Sequence, residues 1–209
     1  MSIYDYLLEH FRKPKGFFGG MVARKMNESH AGMTEWGFRF IDIPHNARAL
    51  DIGCGGGATV ERLAGHAPNG KITGIDYSQK AVKTSSKHNR EFIKSGRVTI
   101  GQASVSSMPF EDDSFDIITA VETCFFWPDP PSDFREVLRV LRPGGTFLVL
   151  TGTYKNEKFH ERNMQWVPKL GMHYHTPEEF RQLFVGAGFT EAGLQEHVEK
   201  GWLAGIAKK

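Results

Sequence analysis

Ala49-Leu-Asp-Ile-Gly-Cys-Gly-Gly-Gly57 is a short apolar run that halts at an acid and dissolves into glycines. We read Ala47–Ile52 as a strand, the glycines as a sharp turn, and Thr59–Ala67 as the helix that follows. Glycines at such a turn let the chain reverse tightly and let a ligand lie against bare backbone. No Gly-Lys-Ser/Thr follows, so this is not a phosphate-cradling loop. Asp51 stands at the strand end, two residues before the first glycine. A carboxylate there repels a pyrophosphate and suits a cationic or amino-bearing ligand, which argues against a nicotinamide dinucleotide.

Working outward, Lys71–Ile75 reads as a second strand closing at Asp76, about twenty residues beyond the loop. An acid at that place can accept hydrogen bonds from ribose hydroxyls; the plainer role is a turn residue in Asp-Tyr-Ser. Ser78 caps a helix expected over Gln79–Lys94, with Ala81 and Val82 inward. Arg97–Gly101 and Phe115–Val121 read as strands, the second apolar enough for a sheet centre. Phe134, Val137, Leu138 and Leu141 recur at one-face helical spacing, and Pro143-Gly-Gly145 is expected to stop that helix before a strand over Thr146–Leu150. Thr176-Pro-Glu-Glu179 carries an N-cap, a proline at the first helical position and a capping-box acid. Phe180, Leu183 and Phe184 form the buried stripe of its helix. Strands near Glu191–Glu199 and Trp202–Ala207 complete an alternating α/β pattern. Two segments break the rhythm: the first 45 residues, expected as an N-terminal helical cap, and an irregular insert at about 152–175, too long for a simple turn.

The chain's 209 residues suit one domain, with the cap at 1–45 and the ligand-binding domain at 46–209. Lys and Arg total 26 against 24 acids, scattered with no basic stripe, so no nucleic-acid partner is expected. Cys54 and Cys124 are the only cysteines and make neither a disulfide framework nor a zinc site. No apolar run reaches the roughly 18 residues of a membrane span. Met-Ser-Ile-Tyr-Asp-Tyr lacks a signal-peptide pattern. A cytoplasmic protein with no membrane insertion is expected.

Four blocks, in order and spacing, resemble the class I S-adenosylmethionine (SAM)-dependent methyltransferases, in particular the small bacterial and archaeal type-11 methyltransferase domains. They are the glycine run already quoted, Gly74-Ile-Asp-Tyr-Ser78, Ser104-Val-Ser-Ser-Met-Pro-Phe-Glu-Asp-Asp-Ser-Phe-Asp116 and Val137-Leu-Arg-Val-Leu-Arg-Pro-Gly-Gly145, covering about residues 46 to 151. The resemblance implies a Rossmann-like, seven-stranded, mostly parallel sheet with helices on both faces and an antiparallel last strand. It implies SAM as cofactor and S-adenosylhomocysteine as product. Gly53 and Gly55 would hold the methionine part, and Asp51 would help fix its ammonium. Asp76 would take the ribose diol and Tyr77 would pack on adenine. The turn at Ala103-Ser104-Val105 would meet the adenine amino group. Many members carry Gly-Asp-Ala there; Ser104 offers a hydroxyl without charge.

Glu122-Thr-Cys-Phe-Phe-Trp-Pro-Asp129 follows the fourth strand, where such folds face the methyl group. It lacks the Asn/Asp-Pro-Pro-Tyr/Phe of nucleobase N-methyltransferases. Glu122 is a candidate base, acceptor-orienting group or cofactor contact; its plainer role is a bond to nearby backbone. Phe125, Phe126 and Trp127 suit an apolar or planar acceptor, or core packing. His30, in Met26-Asn-Glu-Ser-His30, is a candidate base or acceptor ligand. His173-x-His175 lacks acidic or thiol partners in metal-binding spacing, so no metal is expected. The expected activity is methyl transfer to an O, N or S atom of a small-molecule acceptor. The alternative is a non-catalytic binder of SAM or S-adenosylhomocysteine. Two cysteines are too few for arsenic methylation. The acceptor and oligomeric state stay open.

Overall fold

The computed structural model describes residues 30–209. The expected cap reaches into this part only through residues 30–45; its Lys15-Gly-Phe-Phe-Gly-Gly20 run lies outside the described residues. Seven strands form one sheet: β1 (Arg48–Ile52), β2 (Lys71–Asp76), β3 (Val98–Gln102), β4 (Phe115–Val121), β5 (Leu141–Thr151), β6 (Glu191–His197) and β7 (Trp202–Lys208). Their order is β3-β2-β1-β4-β5-β7-β6. β1 to β5 pair in parallel, and β7 runs antiparallel to both β5 and β6. Six of the seven β4 residues are buried, as expected of a strand covered on both faces.

Helix α1 (residues 30–38) opens the described chain. It is followed by α2 (Ala58–His66), α3 (Gln79–His88), α4 (Arg90–Lys94), α5 (Pro130–Val140), α6 (His160–Met164), α7 (Val167–Leu170) and α8 (Pro177–Ala187). On one face of the sheet, Phe134 of α5, Phe147 of β5 and Phe184 of α8 meet edge to face, with ring centroids 5.1 to 5.8 Å apart. All three are fully buried, each contributing roughly 1.5–3 kcal/mol of transfer free energy. On the other face, Met33 and Phe38 of α1 and Val60 and Leu63 of α2 share a core with Leu148 and Leu150 of β5. Gly37 is where α1 crosses β5: a Cβ there would collide with the Leu150 methyls.

Three details differ from the sequence expectation. The helix expected over Gln79–Lys94 breaks at Asn89 (φ −93, ψ 19) into α3 and α4, because the Asn89 side chain is drawn to another part of the chain. The α5 helix ends at Val140, ahead of Pro143-Gly-Gly145: the residue before a proline is pushed out of helical geometry, and Leu141 is already extended. Leu141 pairs with Phe115 and the regular ladder resumes at Thr146 opposite Ile117, so the proline–glycine run is a bulge inside β5. The insert at about 152–175 is not wholly irregular; it holds α6 and α7. The Thr176 capping box is present, with Thr176 Oγ1 accepting from the Glu179 N–H at 3.1 Å and Glu179 accepting from the Thr176 N–H at 2.7 Å.

Candidate active site

β2 and β4 leave β1 on opposite sides, so the strand order reverses at β1. In open α/β sheets, ligands bind at this switch point, beyond the carboxyl ends of the strands. A cleft of about 200 Å3, partly open to solvent, lies there, lined by residues that include Ile52, Gly53, Asp76, Tyr77, Ser104 and Val105.

The glycine turn is bolted to β2. The Gly53 and Cys54 amides both donate to the Ile75 carbonyl, at 2.8 and 2.9 Å. Gly53 holds φ +73, and a Cβ there would strike Thr123 Oγ1, so positive φ and close approach both require glycine. Asp76, only 7% exposed, divides its carboxylate between two amides. Oδ2 accepts from Gly55 N–H at 3.0 Å and Oδ1 from Ser78 N–H at 2.8 Å. Burial raises its pKa, while those two N–H donors oppose the shift. Each oxygen keeps a second lone pair for a ligand hydroxyl.

Asp51 does not line the cleft. It is 2% exposed beneath the loop, and Thr119 Oγ1 donates to its Oδ1 at 2.7 Å. Burial lifts its pKa to about 7, against the Thr119 bond and with a smaller push from Asp76. Tyr77, 47% exposed, stands on the cleft wall. Facing it, the exposed Ser104 closes a tight turn whose Oγ accepts from the Ser106 N–H at 3.2 Å, while Val105 is buried beside it. That turn is held from behind by α5. Glu136 accepts from the Met108 N–H, and Arg139 donates to the carbonyls of Met108 and Phe110 and to Asp112. Two of the four sequence blocks thus clasp each other.

The opposite wall is the turn after β4, where Thr123, Phe126, Trp127 and Pro128 face the cleft. Thr123 carried no signal of its own in the sequence; the glycine it crowds was the only hint. The insert braces this turn from outside. The His173 N–H donates to the Phe125 carbonyl at 2.8 Å, and the His173 ring bonds the Trp127 carbonyl at 3.0 Å. Among the described residues no cluster of His, Cys, Asp or Glu could hold a metal ion.

Glu122 is held in the left-handed region at φ +54. Its side chain accepts from the Gly152 N–H, and its own N–H donates to Leu150. It ties β4 to the root of the insert and is not among the residues lining the cleft. His30 is the first described residue of α1, its carbonyl accepting from Thr34 Oγ1 at 3.0 Å, and it too lies outside that lining. The structure therefore gathers Gly53, Asp76, Tyr77, Ser104 and Val105 around one cleft, with Gly55 joined through Asp76. Asp51 lies behind it, and Glu122 and His30 stand apart.

Residues 50–149 match the type-11 methyltransferase domain family. This segment belongs to that family. A sterol 4-C-methyltransferase of Caenorhabditis elegans is 29% identical to this chain over 160 residues, which is 74% of the chain and 46% of that protein. The chain thus spans under half the length of that curated relative. Among solved structures, the complex of the Haloferax volcanii Trm112 methyltransferase activator with its methyltransferase contains a chain that superposes with TM-score 0.80 at 20% identity, covering 90% of this chain and 93% of that one. A SAM-dependent methyltransferase from Aquifex aeolicus superposes with TM-score 0.74 at 18% identity, covering 90% and 97%. At these identities the superpositions establish the class I methyltransferase fold. The methyltransferase domain places its glycine turn, Asp76 and the turn at Ser104 around the switch-point cleft of that fold.

Proposed function

We propose that the chain is a SAM-dependent methyltransferase acting on an O, N or S atom of a small organic acceptor. The observation that carries this reading is the pairing, across one cleft, of the Gly53–Asp76 side with the aromatic turn at Phe126 and Trp127. The donor set fits the cofactor. Asp76 offers acceptor lone pairs to a ribose diol, Tyr77 and Val105 offer apolar walls to a purine, and the bare Gly53 backbone leaves room for an amino-acid tail. The bound cofactor would supply a methyl group already activated by its sulfonium. Transfer then needs in-line positioning and exclusion of water more than a base. Phe126, Trp127 and Pro128 provide the dry wall, and Glu122 fixes the backbone from which they project.

A small-molecule acceptor is supported by this aromatic wall and by the sterol named for the curated relative, whose own transfer is to carbon and so adds a carbon atom to the acceptors to be screened. Asp51 is assigned an indirect role, as a carboxyl beneath the loop whose ionised form an ammonium above it would favour. His30 keeps a proposed role at the acceptor side, through the α1 helix that touches Gly152 by Met33. The reading includes a cytoplasmic setting, which two unpaired, buried cysteines suit. Among the described residues no helix is long and apolar enough to cross a membrane.

Calorimetric titration with SAM, S-adenosylhomocysteine and NAD tests this. Micromolar binding of both adenosyl ligands and none of NAD is expected, followed by transfer of labelled methyl in an acceptor screen. Absence of adenosyl binding would overturn the reading.

A further inference from the structure

The glycine turn has a second anchor that the methyltransferase reading does not use. Asn89, 1% exposed, sits where α3 stops. Its Nδ2 donates to the Gly57 carbonyl at 3.0 Å and to the Ser85 carbonyl at 3.1 Å. Gly57 is the last residue of the glycine turn, with φ +89, and heads α2. A Cβ on Gly57 would come within 2.5 Å of Asn89 Nδ2 and 2.6 Å of Ser85 Oγ, so the contact is a close packing of backbone on amide. At the other end of α3, the Ser78 N–H donates to Asp76, whose second oxygen accepts from the Gly55 N–H. The glycine turn is therefore held at two points on either side of α3, at Gly55 by Asp76, to which the Ser78 cap also bonds, and at Gly57 by Asn89 at the helix end.

The break in the helix has the same origin. A helical Asn89 would continue α3 into α4, with its side chain following the helix face. Instead the backbone departs from helix while its own N–H still bonds the Ser85 carbonyl at 2.9 Å, and the amide turns to Gly57. Both carbonyls also hold a helical partner, the Glu61 N–H on Gly57 at 3.1 Å and the Asn89 N–H on Ser85 at 2.9 Å, so what the buried amide adds is a direct link between the end of α3 and the end of the glycine turn.

We propose that Asn89 is a positioning residue for the cofactor's amino-acid end: by holding the Gly57 carbonyl, it sets the part of the glycine turn against which that end lies. This rests on the SAM reading of the cleft. Asn89 touches neither the cleft nor its adenosine side; its effect passes through Gly57 and the turn that ends there.

The test compares two ligands that share the adenosine but differ at the tail. S-adenosylhomocysteine has the amino-acid end, and 5′-methylthioadenosine lacks it. In Asn89→Ala, and in Asn89→Asp, which keeps the volume and removes the donor, S-adenosylhomocysteine affinity should fall about tenfold, which is about 1.4 kcal/mol. Methylthioadenosine affinity should stay within about twofold. Hydrogen exchange at residues 53–57 should quicken in both variants while β1 and β4 remain protected. Equal loss for both ligands, or no loss for either, in variants that keep the wild-type circular dichroism would overturn the inference. If Asn89→Ala does not fold, Asn89→Asp alone decides, read the same way. Wild-type protein that binds neither ligand would instead overturn the SAM reading, and this inference with it.

Discussion

Asp51 and Glu122 are both acids bound by groups far from them in the chain, Asp51 by the Thr119 hydroxyl and Glu122 by the Gly152 amide. Sequence placed Asp51 at a strand end beside the ligand; the structure puts it under the loop, bonded to Thr119 on the neighbouring strand. The pairing of β1 with β4, 68 residues apart in the chain, is a long-range fact that no local pattern encodes. With its pKa raised to about 7 from an unfolded value near 4, Asp51 binds its proton more tightly in the folded state. Its contribution to stability is full below pH 4, declines between about pH 4 and 7, and is flat above. The slope there is at most about 1.4 kcal/mol per pH unit. Asp51→Asn should flatten that segment of the stability profile, as followed by urea midpoints from pH 4 to 8; a profile parallel to wild type would refute the assignment. Glu122 was read as a base or ligand contact, and the structure gives it a backbone partner as well as a strained φ. Glu122→Ala should cost about 1–3 kcal/mol by orphaning the Gly152 amide. Glu122→Gly should cost less, since a left-handed backbone penalises a side chain by roughly 1–2 kcal/mol. Glu122→Gln keeps an acceptor for Gly152, so lost turnover in that variant with intact S-adenosylhomocysteine binding would mark direct action on the acceptor.

At the level of single elements, strands and capped helices were readable because each announces itself within a few residues. β1, β2, β4, α2 and α8 fall within one or two residues of expectation, and the Thr176 box formed as its spacing required. The misreadings share a cause, which is that a distant partner overrode a local preference. Asn89 broke a helix to reach Gly57, and the Pro143-Gly-Gly145 run was absorbed as a bulge against β4. The cleft was half legible: its glycine, acidic and Ser104 sides belong to local motifs, whereas Thr123 enters only through its approach to Gly53. The block around Met108 and the block around Arg139 were recognisable as motifs without a visible reason, and the reason is mutual: the Arg139 fork spans two carbonyls and two acids. Arg139→Ala should destabilise the domain by about 1–3 kcal/mol and raise amide exchange over residues 104–112 selectively. Uniform exchange changes across the sheet would contradict this local role.

For the whole molecule, the sheet order and the antiparallel β7 agree with what the family resemblance implied. The attachment of α1 was not foreseeable, because Gly37 reads in sequence as a helix weakness, not as a contact. Its bare Cα against the buried Leu150 predicts an inverted result. Gly37→Ala should lower stability by about 1–3 kcal/mol through overpacking, although alanine favours a helix by up to about 1 kcal/mol. A raised urea midpoint would show that α1 rides free of the sheet. The arrangement of the last strands also bears on how the molecule is made. Among the described residues β6 has β7 as its only neighbour in the sheet, and β7 is what closes the outer edge of β5. Because β6 is synthesised before β7, it precedes its sheet neighbour among the described residues, and the outer edge of β5 stays unpaired until β7 follows. A nascent chain stalled between these two strands would present two unpaired edges and be a natural client for chaperones.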